Sequence, residues 1–315
     1  MYSYLEVRLK MKQVAFLFPG QGAQYTGMGK DFYDTYQESR EVFELASDIL
    51  SLDMTKLIFE EDERLHITEY TQAAMVTTMT AMLMAMKEKN ITPAVCAGLS
   101  LGEYVALYQS KVLSLKDVIY LVRKRGIYMQ EAVPVSVGTM AAVLGLNNEL
   151  VEEICANTEG IVTVANYNCP GQIVISGENA AVSAAKINLE KAGAKRVLPL
   201  NVSGPFHSPM LRSAGEKLRG ELEKITINDP VIPYVANTTA EYITSKEPIV
   251  NSLSAQVSSS VRWQQSVEKM IANGITTFVE IGPGKTLSSF VKKFDRTMQV
   301  INIEKIEDLD KLDVL

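Results

Sequence analysis

Ala94-Val95-Cys96-Ala97-Gly98-Leu99-Ser100-Leu101-Gly102-Glu103-Tyr104-Val105-Ala106-Leu107-Tyr108 is the stretch on which the fold turns. A short apolar run, 94–97, ends in a serine between two glycines, and helix-like residues follow at once. That is the pattern of a nucleophile elbow: the glycines permit a tight strand-to-helix turn, and the hydroxyl stands clear of the backbone. The helix beyond it aims its amide groups at the place where an oxyanion would form. Two further stretches repeat the theme. Val14-Ala15-Phe16-Leu17-Phe18 runs into the glycine-rich Pro19-Gly20-Gln21-Gly22-Ala23-Gln24, and Thr276-Thr277-Phe278-Val279-Glu280-Ile281 meets Gly282-Pro283-Gly284-Lys285 before a helix. Strands alternating with helices imply an α/β class with a mostly parallel sheet.

A serine nucleophile needs an adjacent general base, and the chain holds only two histidines, His66 and His207. His66 lies in the charged stretch Glu60-Glu61-Asp62-Glu63-Arg64-Leu65-His66 and reads as solvated. His207 lies in Asn201-Val202-Ser203-Gly204-Pro205-Phe206-His207-Ser208-Pro209-Met210, between a strand-like run and a helix start with Ser208 as N-cap and Pro209 in the first turn. Loops after strand ends are where catalytic groups collect. His207 is therefore the candidate partner of Ser100.

Residues 117–131 carry Val118, Leu121, Val122 and Met129 at helical spacing, and Arg125 falls on the same apolar face. An arginine on a buried stripe needs an anionic partner. A structural ion pair and a bidentate fork for a substrate carboxylate both satisfy the pattern.

Net charge is −6, with 47% hydrophobic and 22% charged residues, so the basic excess that nucleic-acid binding requires is missing. No apolar run approaches the roughly 20 residues of a membrane span, and residues 1–10 lack the apolar core of a signal peptide. A cytoplasmic enzyme is expected. Cys96, Cys155 and Cys169 have neither disulfide-framework nor metal spacing, and Met75, Met79, Met82 and Met86 recur as helical core packing.

The middle of the chain has another rhythm. Strands at 139–146, 161–165, 172–176 and 196–200, with helices from 149 and over 179–191, give the order βαββαβ of a ferredoxin-like unit. The expected division is a discontinuous large subdomain, 11–135 and 204–303, carrying a small inserted subdomain, 136–203. Residues 1–10 read as an N-terminal extension before a natural start at Met11, and 304–315 as a charged amphipathic tail. The insertion returns the chain to the elbow just at His207, so a cleft between the two parts is the natural ligand site.

Five motifs in order carry a resemblance: Phe18-Pro19-Gly20-Gln21-Gly22-Ala23-Gln24, Gly98-Leu99-Ser100-Leu101-Gly102-Glu103, Arg125-Gly126, Gly204-Pro205-Phe206-His207-Ser208 and Glu280-Ile281-Gly282-Pro283-Gly284. From Met11 onward the chain resembles the malonyl-CoA:acyl carrier protein transacylases, bacterial acyltransferases. The resemblance implies an α/β-hydrolase-like domain with a ferredoxin-like insertion. It also implies transfer of malonyl from malonyl-CoA to the phosphopantetheine thiol of holo acyl carrier protein, with no cofactor, because the coenzyme A thioester is itself a substrate. By position, Ser100 becomes the acylated nucleophile, His207 its base, and the backbone amides of Gln21 and Leu101 the oxyanion hole. Arg125 becomes the clamp on the malonyl carboxylate, and the carbonyl of Gln256 orients the histidine in place of a triad acid. Phe206 resembles the malonyl-type pattern, in which a bulky residue leaves little room for a substituent on the acyl group. Asn166 and the Asn168-Cys169-Pro170-Gly171 loop fall near the expected mouth of the cleft without a chemical role. One departure stands out: Leu99 occupies the position before the nucleophile where the family usually has histidine, which bears on packing or acyl preference rather than on the base.

Three other readings share these residues. A polyketide acyltransferase would use the same motifs. A serine thioesterase or hydrolase would favour an acidic triad member between Ser100 and His207. A carrier-protein docking module that kept the fold would form no acyl-serine.

Overall fold

The computed structural model describes residues 13–134 and 136–315, so the expected extension 1–10 and the start at Met11 lie outside the described residues. The strands are β1 (Val14–Phe18), β2 (Val95–Gly98), β3 (Gly138–Leu144), β4 (Val162–Cys169), β5 (Gln172–Glu178), β6 (Arg196–Pro199), β7 (Tyr234–Val235), β8 (Tyr242–Ile243), β9 (Thr277–Ile281) and β10 (Gln299–Ile303). They form two sheets. The larger has the order β10-β9-β1-β2-β7-β8, parallel throughout except for the edge hairpin of β7 with β8. The smaller has the order β4-β5-β3-β6 with antiparallel pairings.

Burial on both faces explains why β1 reads as an unbroken apolar run. Val14, Phe16 and Phe18 point into one core, Ala15 and Leu17 into the other. The first core takes in the Thr68–Ala85 helix, where Met75, Met79 and Met82 are buried, with Met86 just beyond its end. The second core is built on the Trp263–Ala272 and Thr286–Phe294 helices. A third joins the small sheet to the Asn148–Ala156 and Asn179–Lys191 helices, completing the expected strand and helix order between residues 138 and 199. All three cysteines are buried and free.

The structure departs from the sequence reading in two places and adds detail at the tail, whose order the sequence left open. β4 runs on through Asn166, Tyr167 and Asn168 to Cys169, past the expected end at 165, because irregularities in its pairing with β5 accommodate the polar residues. Val261 pairs with the same segment, through Val261 N–H to Ala165 O at 2.8 Å and Tyr167 N–H to Val261 O at 2.9 Å. Ser208 does not cap with its side chain; its hydroxyl donates to Pro205 O at 2.7 Å, and only a 3₁₀ turn, Pro209–Leu211, follows before the Arg212–Leu222 helix. The tail is ordered as the 3₁₀ segment Ile306–Val314. Leu309 and Leu312 are buried, and the Asp308 carboxylate accepts from Glu304 and Lys305 N–H.

The elbow needs its two glycines for space. A Cβ on Gly98 would lie 1.9 Å from the Gly102 carbonyl carbon, and one on Gly102 would lie 2.0 Å from Phe18 O. These are backbone contacts that no rotamer change relieves. Gly98→Ala and Gly102→Ala are each expected to destabilise by at least ~1–3 kcal/mol, the cost of overpacking a tight interior. Urea unfolding of the two variants checks this, and unchanged midpoints would refute it.

Candidate active site

Ser100 stands where β2 passes into the Gly102–Gln109 helix, with φ at +52°. That left-handed backbone is uncommon outside glycine and costs roughly 1–3 kcal/mol unless its surroundings hold it. Leu99 N–H, just before it, donates to Phe18 O at 3.0 Å, and Ser100 N–H donates to Asn237 Oδ1 at 2.6 Å. The Asn237 amide in turn donates to Gly98 O at 2.7 Å. His207 has the same unusual handedness, with φ at +58°, and its N–H donates to Val257 O at 3.2 Å.

These two residues, 107 positions apart, meet: Ser100 Oγ lies 2.7 Å from His207 Nε2. His207 Nδ1 lies 2.8 Å from the Gln256 carbonyl oxygen. A carbonyl can only accept, so Nδ1 carries the proton and Nε2 presents its lone pair to the serine hydroxyl. The group behind the histidine is thus a backbone carbonyl and not a carboxylate.

Arg125 lies on the buried face of the Leu115–Ala132 helix, as its spacing indicates, and is 1% exposed. Its Nη2 donates to Ser100 Oγ and to Gln256 Oε1, each at 3.0 Å, and its Nη1 donates to Gln72 Oε1 at 2.8 Å. All these acceptors are neutral, and Arg125 forms no ion pair among the described residues. Among the described residues its Nε has no hydrogen-bond partner. The carboxylate closest in the network is that of Glu103, one hydrogen bond further on: Gln256 Nε2 donates to Glu103 Oε2 at 2.6 Å and to Ser100 O at 3.0 Å. A buried cation aimed at the serine oxygen, balanced only through an amide, is poised for an external anion.

The Pro19-Gly20-Gln21 turn closes on the elbow, since a Cβ on Gly20 would touch Leu99 O at 2.8 Å and the Leu99 side chain at 2.9 Å. Leu99 thus serves to pack this turn. Among the described residues, neither the Gln21 nor the Leu101 amide N–H has an acceptor. Asn166 and Asn168 are each 7% exposed on β4. A cavity of about 300 Å³ lined by Thr163, Ser259 and Arg262 reaches His207 at the junction of the two sheets. His66 lies exposed in the 3₁₀ turn Glu63–His66, with no part in this cluster.

Gln72, Glu103 and Asn237 join the site without having been assigned roles from the sequence. Glu103 is an acid in a mostly apolar helix, which is a signal that could have found it, whereas Gln72 lies in a helix that also carries Glu69 and five threonines and does not stand out. Asn237 left no such signal.

Burial pushes the His207 pKa down to about 4, the Arg125 charge adds to that, and the bond to Gln256 opposes it. Burial pushes Glu103 up to about 7, against the hydrogen bonds from Gln256 and Asn237 and the charge of Arg125. The His207 imidazole is therefore neutral at pH 7, and it stays so through the ordinary histidine value of 6.5. Because its folded pKa lies below its unfolded one, its contribution to stability is complete above 6.5 and is lost as pH falls toward about 4. Ring-nitrogen NMR shifts of His207 should hold constant from pH 7 through 6.5 and titrate only near about 4. A midpoint near 6.5 would refute the burial account.

The acyl transferase domain model matches residues 15–307. The chain is 45% identical over 304 residues to the malonyl CoA-acyl carrier protein transacylase of Bacillus subtilis, covering 95% of this chain and 96% of that one. The crystal structure of the malonyl CoA-acyl carrier protein transacylase from Clostridium perfringens superimposes with a TM-score of 0.93 at 45% identity, over 96% of each chain. A malonyl-transacylase in complex with a type II polyketide synthase acyl-carrier protein, AntF, matches at a TM-score of 0.92 and 37% identity, over 95% of this chain and 98% of that one. With the acyl transferase model spanning nearly the whole chain and relatives this similar over their full length, the chain belongs to the malonyl-CoA:acyl carrier protein transacylase family of acyltransferases.

Proposed function

We propose that this enzyme transfers malonyl from malonyl-CoA to the phosphopantetheine thiol of holo acyl carrier protein through a malonyl-Ser100 intermediate, supplying fatty acid synthesis. The observation that carries this reading is the Arg125 guanidinium, buried, bonded only to neutral groups, and 3.0 Å from Ser100 Oγ. An acyl group with a free carboxylate would complete its charge while placing the thioester carbon at the hydroxyl.

The steps follow from the geometry. His207 Nε2 takes the Ser100 proton as the oxygen attacks the thioester carbonyl. The unpartnered amides of Gln21 and Leu101 serve the tetrahedral oxyanion, where loss of one donor costs roughly 3 kcal/mol. The imidazolium formed by this step is oriented by the Gln256 carbonyl and returns the proton to the departing coenzyme A sulfur. The carrier thiol then repeats the sequence in reverse, its proton passing to His207 and finally to Ser100. Nothing in these steps calls for a metal or a bound cofactor, since coenzyme A arrives and leaves as substrate and product.

The topology supports an α/β-hydrolase-like large subdomain, 11–135 and 204–303, with a ferredoxin-like insertion, 136–203, whose sheet order β4-β5-β3-β6 is the one expected of that unit. Among the described residues no helix is long and apolar enough to cross a membrane, which fits work on small thioesters and a carrier protein in the cytoplasm.

Intact-protein mass spectrometry after brief mixing with malonyl-CoA should show a malonyl-sized gain that Ser100→Ala abolishes and holo acyl carrier protein removes. Free malonate in place of transfer would instead establish the hydrolase, and no adduct with no turnover the docking module. Arg125→Ala should slow malonyl transfer by about two to four orders of magnitude, from a lost charge partner of roughly 3–5 kcal/mol, and acetyl transfer far less. Equal losses with both acyl groups would remove Arg125 from carboxylate binding.

A further inference from the structure

Asn237 is 1% exposed, and its hydrogen bonds converge on the elbow. The parallel ladder between β2 and β7 ends at the pair Ala97 and Val235. Beyond it the β7 chain turns away: Ala236 N–H donates to Glu241 O, and Ala240 takes a left-handed φ of +56°. Gly98 O and Ser100 N–H are thereby left without the main-chain partner that a longer β7 would give them. The Asn237 side chain supplies both, accepting from Ser100 N–H at 2.6 Å and donating to Gly98 O at 2.7 Å. A primary amide offers a donor and an acceptor in one plane, as a peptide group does. The residue is fixed from its own backbone as well, since Asn237 N–H donates to Glu103 Oε2 at 3.3 Å and Asn237 O accepts from Arg262 N–H at 2.8 Å.

We propose that Asn237 is a positioning residue of the reaction: its side-chain amide acts as the missing rung of the sheet and holds Ser100 in the left-handed backbone that presents Oγ to His207. The inference rests on the reading of Ser100 as the nucleophile. It also explains a division of labour among amides. Ser100 N–H is occupied by Asn237, whereas Leu101 N–H, one residue on, is left free to meet an oxyanion. Without the rung, Ser100 can relax toward an ordinary backbone conformation, which swings the hydroxyl away from Nε2. Substrate contacts through Arg125 are untouched by that change, so it acts on the chemical step and not on binding.

The test is single-turnover acylation by malonyl-CoA, expressed per folded protein, for the parent enzyme and Asn237→Ala. The expected result is an acylation rate about 100-fold lower, the scale for a reacting group displaced by roughly 1 Å, with an unchanged KM for malonyl-CoA. A rate per folded protein equal to the parent's, or a raised KM with an unchanged acylation rate, would overturn the proposal. Amide hydrogen exchange in the parent enzyme tests it independently of whether the variant folds: Ser100 N–H should be strongly protected and Leu101 N–H should exchange freely. Equal exchange at the two amides would overturn it. A parent enzyme that forms no acyl-serine would sink the transacylase reading instead, while the exchange experiment still decides whether Asn237 holds the elbow.

Discussion

The left-handed backbone of Ser100 is the constraint around which the large sheet is arranged. A serine accepts that conformation only when several contacts oppose its relaxation. Here Leu99 N–H is tied to Phe18 O, Ser100 N–H to Asn237 and Ser100 O to Gln256. Those three partners come from β1, from the chain just past β7 and from the end of the Ile249–Gln256 helix. The helix start at Gly102 and Glu103 leaves no room for a Cβ at Gly98, and the Phe18 turn leaves none at Gly102, so strand order, helix placement and glycine positions all serve one turn.

The second organising feature is electrostatic. Burying a guanidinium without a direct carboxylate costs several kcal/mol, and proteins seldom tolerate it outside a functional site. In this chain the charge is spread through the Gln256 amide to Glu103, whose own burial pushes its pKa up to about 7. Gln256 therefore has two distinct tasks. Its carbonyl fixes the His207 tautomer, and its side chain links the arginine to the acid. The same low-polarity surroundings that strand Arg125 also keep His207 neutral, so one desolvated pocket yields both a hungry cation and a ready base.

The small sheet contributes little side-chain chemistry of its own to this cluster, yet it is joined to the chain beside the cluster. Pairing of Val261 with the residues around Asn166 joins the small sheet to the segment that follows Gln256. There Ser260 Oγ donates to Val164 O on β4, and Ser258, Ser259 and Ser260 line the cavity that reaches His207. This seam lies beside the hydrogen bonds that join Gln256, His207 and Ser100.

The sequence by itself determined those features whose physics is local. Apolar runs of strand length, the glycine–serine turn, the helical stripe that carries Arg125 and the βαββαβ rhythm are set by neighbours within a few residues, so they can be read in order along the chain. Two-face burial made β1 and β9 plain, and the scarcity of histidine narrowed the base to His207. The tertiary structure alone decided whether Arg125 met a carboxylate and what held Ser100, whereas the Gln256 carbonyl behind the histidine had been implied only by the family resemblance. Those answers depend on hydrogen bonds between residues far apart in the chain, such as Arg125 with Gln72, 53 positions away, and Gln256 with Ser100, 156 positions away. Such contacts leave no periodicity behind. Asn237 is the clearest case: an asparagine after a short strand looks like any turn residue until the sheet brings Gly98 and Ser100 to its amide. The ordered tail and the longer β4 escaped for the same reason, since their polar residues are accommodated by bulges and caps that exist only once distant segments have packed.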